Sequence, residues 1–511
     1  MSDWTSGYVA DIGYTYGYYT ELNPFRANLA CLSGGWSMPA GGTHCELGFG
    51  QGVSINIHAA ASGGVWYGTD FNPAQAAFAQ SLAAAAGTAA HLCDQSFQEF
   101  CTRADLPDFD SISLHGIWSW ISDENRTVIV DFVRRKLKVG GVLYMSYNTQ
   151  PGWAAMVPMR DLLTEHSEVM GAPGLGIVKR IDEALGFAEK LLQCNPAYAR
   201  ANPQVAERIK RIKDQNRNYV AHEYFNRDWQ PMSISRMANW LAPTKLSYAC
   251  SAFFQDHLDP INLSDAQQAL LKELPDPMFR ETVRDFCVNQ QFRRDYWIKG
   301  PLKLSPVALG EAWRKQVVVL IQAREDVALK ITAGLGEVSM QEAVYVPILD
   351  ALADHQARSL AYLEKQLLGK SIQFNQIIQA VTLLVGTGAL ATVQDEATVE
   401  RARVFTDKLN LHLMDKARGT ADVACLASPV TGGGLTVMRF SQLFLLARSK
   451  GLETPQDWAG YCWSALKAQG QRVIKGGQAL VSDADNLAEL TRQAHQFEQK
   501  QLPVLVAVGI A

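Results

Sequence analysis

No stretch of this chain approaches the roughly 20 consecutive apolar residues that span a bilayer, so a helical integral membrane protein is excluded. The opening Met1-Ser2-Asp3-Trp4 has neither a basic region nor an apolar core, and no secretory leader is expected. Cysteine is sparse and unpatterned: nine residues, an odd number, none in Cys-x-x-Cys. Cys93 and Cys101, with His91 close by, lack the fourth ligand of a zinc set, so no metal is expected. Thiols scattered through apolar contexts fit a reducing compartment, and a cytoplasmic location is expected. Charge of one sign is also missing. Lys and Arg total 47 against 51 for Asp and Glu, a net charge of −4 that offers no footprint for nucleic acid. Two local basic clusters, Arg134-Arg135-Lys136 and Arg208, Lys210, Arg211 and Lys213, read as solvated helix faces. There is no convincing internal repeat, and the short apolar Pro503–Ala511 is expected to dock onto the body.

What is present is globular: 48% hydrophobic and 19% charged residues over 511 positions. That length exceeds one ordinary core and predicts roughly two to four domains. The first 150 residues alternate strand and helix. Strands are expected at Thr43–Leu47, Val65–Thr69, Ala89–Leu92, Ser111–Leu114 and Val142–Ser146. Helices are expected up to Ala61, after the Asn72-Pro73 cap, and over Arg126–Leu137. This alternation predicts a doubly wound α/β sheet, whose ligands sit beyond the carboxyl ends of the strands. Those ends carry Glu46 with Gly48, Gly50 and Gly52, then Asp70, Asp94, His115 and Tyr147-Asn148.

The glycines fail the dinucleotide register G-x-G-x-x-G, because Val53 stands at its third glycine. Instead Glu46-x-Gly48-x-Gly50-x-Gly52 is similar to motif I of class I S-adenosylmethionine-dependent methyltransferases. The tail of that cofactor is an amino acid, which needs backbone groups at close range and an acid for its ammonium. Asp70, roughly twenty residues on, is placed to accept the ribose hydroxyls. Asp94 is placed for the adenine amino group, with Phe97 beside the ring, and Phe71 and Gln95 complete the expected cofactor set. Aromatics at Tyr14, Tyr16, Tyr18 and Tyr19, with Trp118, Trp120, Tyr147 and Trp153, are candidates for an acceptor pocket closed by an N-terminal arm. Tyr18, Tyr147 and His115 are the catalytic candidates; His115 is both a base for an oxygen acceptor and a cofactor contact.

Further motifs add a resemblance. His115-Gly116-Ile117-Trp118-Ser119-Trp120, Ser146–Trp153, Ala221–Pro231 and Phe292–Gly300 resemble bacterial methyltransferases carrying a methyltransferase regulatory domain. That group includes lysine methyltransferases acting on outer-membrane proteins. The resemblance implies S-adenosyl-L-methionine as cofactor and a protein side chain such as lysine as acceptor. The chain departs from those enzymes in lacking their Thr-His-Pro run after the tyrosines. The residues themselves leave two alternatives open: a sugar or small-metabolite hydroxyl as acceptor, and a non-catalytic cofactor-binding interaction protein.

The expected organisation is a cofactor-binding domain over 1–160, a helical insertion over 161–218 and completion of the sheet over 219–255. In that completion His222–Phe225 and Leu246–Cys250 are strands flanking a Ser233–Leu241 helix. Residues 256–303 read as a helical regulatory region, and 304–511 as winged-helix-like units serving protein interaction, with strands at Val317–Gln322 and Ala328–Thr332 and a second unit over Ser371–Lys450. The insertion is a candidate homodimer contact. Thr431-Gly432-Gly433-Gly434 lacks the Lys-Ser/Thr of a phosphate loop and reads as a turn.

Overall fold

The computed structural model describes residues 8, 12–38, 42–172 and 174–511. Met1–Trp4, where the absence of a leader was read, lie outside the described residues. The centre is a seven-stranded sheet. Its strands are β1 (Thr43–Leu47), β2 (Val65–Thr69), β3 (His91–Cys93), β4 (Phe109–Leu114), β5 (Leu137–Asn148), β6 (Leu246–Ser251) and β7 (Phe292–Lys299). They lie in the order β3-β2-β1-β4-β5-β7-β6. β1 to β5 are parallel, and β7 runs antiparallel to both β5 and β6. The order reverses between β1 and β4, which opens a crevice at their carboxyl ends.

The helices between these strands follow local signals. α1 (Pro24–Ser33) starts at Asn23, whose side chain accepts from the Phe25 and Arg26 amides. α2 (Val53–Ala61) leaves the glycine loop, and α3 (Pro73–Ala86) is capped by Asn72. α4 (Phe97–Cys101) carries a Ser96/Glu99 capping box, and α5 (Asp123–Lys136) has the acids first and Arg134-Arg135-Lys136 last that its dipole favours. Gly52 closes the loop at φ +69, and a Cβ there would stand 2.4 Å from the Ala79 Cβ of α3. We expect Gly52→Ala to lower the unfolding free energy by about 1–3 kcal/mol, read as a shifted urea midpoint.

Side chains alternate across the sheet as pleating requires. Leu143, Met145 and Trp297 enter a core with α5 and the Ile234–Leu241 helix, whereas Val142, Tyr144, Tyr296 and Ile298 enter one shared with α1 and residues 313–390. A third core joins α2 and α3 to residues 409–510. All nine residues of α2 are buried, because the C-terminal helix Glu396–Lys416 packs across it. The C-terminal region therefore shares its cores with the central sheet and its helices.

Three expectations need correction. His222–Phe225 is not a strand: it falls at the end of the helix Arg217–Tyr224, which buries Val220, Ala221 and Tyr224 in the insertion's own core. The sheet is not complete by residue 255, since β7 enters between β5 and β6 from a segment expected to be helical. β7 reads as polar because it carries Arg293 and Asp295. Both are buried, Arg293 pairing with Asp295 at 2.9 Å, Asp285 at 2.5 Å and Glu281 at 2.9 Å. The expected strand at Ala89–Leu92 shifts to His91–Cys93. Helices at Val157–Val169, Ile177–Gln193 and Gln204–Lys213 make up most of the insertion. Further on, Val317–Leu320 pairs antiparallel with Arg358–Ser359 and Leu390–Thr392, and Lys330–Ala333 forms a hairpin with Gly336–Ser339. Among the described residues no helix is long and apolar enough to cross a membrane.

Candidate active site

The crevice at the carboxyl ends of β1 and β4 deepens into a cavity of about 520 Å³. Its floor is the loop after β1. Gly48 and Gly50 line it with φ of +73 and +58, conformations that a side chain would strain. The Gly48 amide donates to the Thr69 carbonyl at 2.8 Å, and the Gly50 amide to Asp70 Oδ2 at 2.8 Å. Asp70 Oδ1 accepts from the Asn72 amide at 3.0 Å. Each carboxylate oxygen thus has one amide partner and capacity for a further donor. Burial pushes Asp70 up to about 6, against the pull of those two amides.

Glu46 is buried beneath the loop and is not among the lining residues. Burial, then the charge of Asp70, pushes it up to about 8, and its Oε2 is buried without a hydrogen-bond partner. A buried carboxyl oxygen left without a partner beneath the loop is open to a hydrogen-bond donor. The folded value lies above the ordinary 4.5, so the protein is most stable with this carboxyl protonated and loses stability as pH rises from 4.5 through about 8. Glu46→Gln should remove that part of the slope, seen as an unfolding free energy that falls less over this pH window than in the wild type.

The far wall holds Phe71, Gln95, Ser96 and Phe97. Asp94 is not on it: its side chain is exposed to solvent. The reason is local. Thr69 Oγ1 donates to the Gln95 carbonyl and accepts from the Gln95 amide at 3.2 Å, turning Gln95 rather than Asp94 into the cavity. Gly52 is likewise absent from the lining; it serves helix packing instead.

Over the cavity runs an extended strap, residues 12–19, whose side chains face alternately from Tyr16 to Tyr19. Tyr14, Gly17 and Tyr19 line the cavity, whereas Tyr16 packs edge-on against Phe78 and Tyr18 turns to His58. Ser54 of α2 accepts from the Tyr19 amide at 2.9 Å and donates to the Gly17 carbonyl at 3.4 Å. Tyr18 is thus removed from the catalytic candidates, its hydroxyl being 2.7 Å from the Gly434 amide and 3.1 Å from His58 Nε2. Tyr147 is removed too. The pleat of β5 sends it into the core, where its hydroxyl donates to Asp295 Oδ2 at 2.8 Å. Trp118 and Trp153 are core residues, and of the expected tryptophans only Trp120 lines the cavity.

His115 does line the cavity, stacked on Tyr19 with ring centroids 3.6 Å apart. Its Nδ1 is 2.9 Å from the Tyr144 hydroxyl, and burial lowers its pKa to about 4 despite nearby Glu21. At neutral pH it is an uncharged wall residue.

The remaining wall comes from the end of the Arg217–Tyr224 helix and the loop after it: His222, Glu223, Arg227 and Asp228. Glu223 was not singled out from the sequence, although it stands inside the Ala221–Pro231 motif. Burial pushes its carboxyl up to about 7, opposed by a hydrogen bond from Tyr14. Tyr14 is also hydrogen-bonded to Tyr19, whose phenol burial raises to about 12. A carboxyl raised to about 7 can take up and release a proton near neutral pH.

Comparison with known proteins agrees with this geometry. Residues 216–299 match the family described as "Predicted methyltransferase regulatory domain", a segment holding Glu223, β6 and β7. The chain is similar to protein sll1526 of Synechocystis, 39% identical over 99% of this chain and all of that one. It is also similar to RP789 of Rickettsia prowazekii, 25% identical over 40% of this chain and 37% of that protein. The structure of PKMT2 from Rickettsia typhi in complex with AdoHcy shares the fold with a TM-score of 0.70 at 16% identity, covering 95% of this chain and 98% of that one. The chain belongs to the same family as sll1526, carries over residues 216–299 the segment described as a predicted methyltransferase regulatory domain, and shares its fold with PKMT2.

Proposed function

We propose that the enzyme methylates a protein side-chain amine, lysine being the acceptor that the site chemistry and the sequence resemblance both favour. The carrying observation is Glu223, a half-buried carboxyl on the wall of the cavity whose pKa is pushed up to about 7. The cofactor supplies an electrophilic methyl group. This chain supplies position and a proton acceptor. Asp70 takes the ribose hydroxyls, Glu46 balances the ammonium of the tail, and Phe71, Gln95 and Phe97 flank the base. An acceptor ammonium must shed a proton before its nitrogen has a lone pair, and Glu223 Oε accepts it. Tyr14, Tyr19 and Trp120 exclude water and face the incoming cation with their rings. His115 holds Tyr19 by stacking. With a pKa near 4 it is too weak a base to activate a hydroxyl, which disfavours the sugar alternative.

The C-terminal region is read as winged-helix-like from its order helix Pro306–Lys315, strand Val317–Leu320, helices Leu360–Leu367 and Phe374–Gly386, strand Leu390–Thr392. An acidic chain favours protein over nucleic acid as its partner. A cytoplasmic location is part of the same reading, and all nine cysteines are free thiols.

Label from methyl-tritiated S-adenosylmethionine, incubated with the protein and a bacterial lysate, should appear in macromolecules and hydrolyse to methyl-lysine. Label confined to small solutes would move the acceptor to a metabolite. No transfer, with the cofactor still bound, would favour the non-catalytic alternative.

A further inference from the structure

The Thr431–Gly434 turn, which chemistry at the cavity does not use, is moulded onto the strap. Its last two glycines begin the second strand of a hairpin, Cys425–Ser428 with Gly433–Thr436. A Cβ on Gly433 would lie 2.5 Å from the Tyr18 hydroxyl, and one on Gly434 3.0 Å from Tyr18 Cζ. Side chains are missing there because Tyr18 fills the space. The tyrosine hydroxyl accepts from the Gly434 amide at 2.7 Å and is hydrogen-bonded to His58 Nε2 at 3.1 Å. Burial keeps both partners neutral, raising the phenol and lowering the imidazole to about 3. Asn23, just beyond the strap, adds a bond from its amide nitrogen to the Thr431 carbonyl at 3.1 Å.

We propose that Tyr18 is a positioning residue through which this C-terminal hairpin holds the tyrosine strap over the cofactor cavity. The lever is short. Tyr18 sits between Gly17 and Tyr19, both on the cavity wall, and Ser54 fastens the backbone on either side of it. A shift of the Tyr18 ring is passed directly to its neighbours, whereas the hairpin is anchored in a core of its own with the α2 and α3 helices. Strap and hairpin are more than 400 residues apart in sequence, so only the folded C-terminal region can supply this clamp.

The inference rests on reading the cavity as the cofactor site, and its test separates the two. Tyr18→Phe removes the bond to the Gly434 amide, and Gly433→Ala pushes a methyl group onto the hydroxyl. Each full-length variant should weaken AdoHcy binding by about fivefold or more in titration calorimetry, a loss on the scale of one hydrogen bond. Each should also speed hydrogen exchange in the peptide covering residues 12–22. Turnover at saturating donor should fall by a similar factor, because Tyr19, next to Tyr18, faces the acceptor. If Gly433→Ala fails to fold, Tyr18→Phe decides alone. Exchange and affinity both within about twofold of wild type would overturn the clamp, as would faster exchange with unchanged affinity. A wild-type protein that does not bind AdoHcy would overturn the cofactor reading, while exchange in the strap would still decide whether the hairpin holds it.

Discussion

Asp70→Ala should raise the dissociation constant for S-adenosylmethionine by roughly 5- to 150-fold, the equivalent of about 1–3 kcal/mol. Two losses combine. The ribose hydroxyls lose a charged acceptor, and the Gly50 amide, 2.8 Å from Oδ2, loses the bond that holds the loop against β2. Asp70→Asn should lose nearly as much, since an amide NH2 turned toward either the Gly50 or the Asn72 amide opposes donor to donor. Because the wild-type carboxyl sits at about 6, and hydroxyl donors favour its charged form, cofactor binding should weaken as pH falls through that value. Calorimetric titration at several pH values reads all three. Affinity unchanged in the alanine variant would put the ribose elsewhere.

Glu223→Gln should lower turnover by about 10²- to 10⁴-fold, the range for loss of a general base. The sign of the pH effect follows from the same carboxyl. It must be unprotonated to accept a proton, so wild-type kcat/KM should rise with pH through about 7 and level off above it. The glutamine variant should lack that step and stay slow even at high pH, where the wild-type base is fully available. AdoHcy affinity should be preserved, because on the proposed reading Glu223 serves the acceptor and not the cofactor. Stopped-flow or steady-state rates over pH 6 to 9 would serve (roughly one unit below and two above the wild-type midpoint). Retained turnover in the variant would transfer the proton step to another group or to water.

These effects differ in how far sequence could foresee them. Asp70 follows a strand read correctly to its last residue, Val65–Thr69, and Asn72-Pro73 fixes the turn after it by local capping. Glu223 lies in a segment whose pattern predicts a strand. His222-Glu223-Tyr224-Phe225 has strand-like composition, and its helix is stabilised by the burial of Val220, Ala221 and Tyr224 against three other helices of the insertion. Asp94 and Gln95 show the same limit at finer grain. Adjacent polar residues at a strand end are equivalent by composition, and the two-way bond between Thr69 Oγ1 and the Gln95 backbone chooses between them.

β7 fails for another reason. Strand periodicity is visible when one face is apolar, but Arg293 and Asp295 occupy the inward face and hide it. They are tolerated there because Glu281 and Asp285, on the helix Pro277–Val288, complete the charge cluster. No window along the chain contains that compensation.

By itself the sequence determined the short-range features: where three of the five parallel strands end, which helices are capped, and where the backbone must bend as only glycine does. Each follows from steric and hydrogen-bonding preferences within a few residues. Tertiary structure alone decided which neighbour of a pair faces the cavity, which strand fills the gap between β5 and β6, and what presses on the strap from above. Those outcomes depend on burial shared between segments distant along the chain, and a side chain's direction is set by the partner that packs against it.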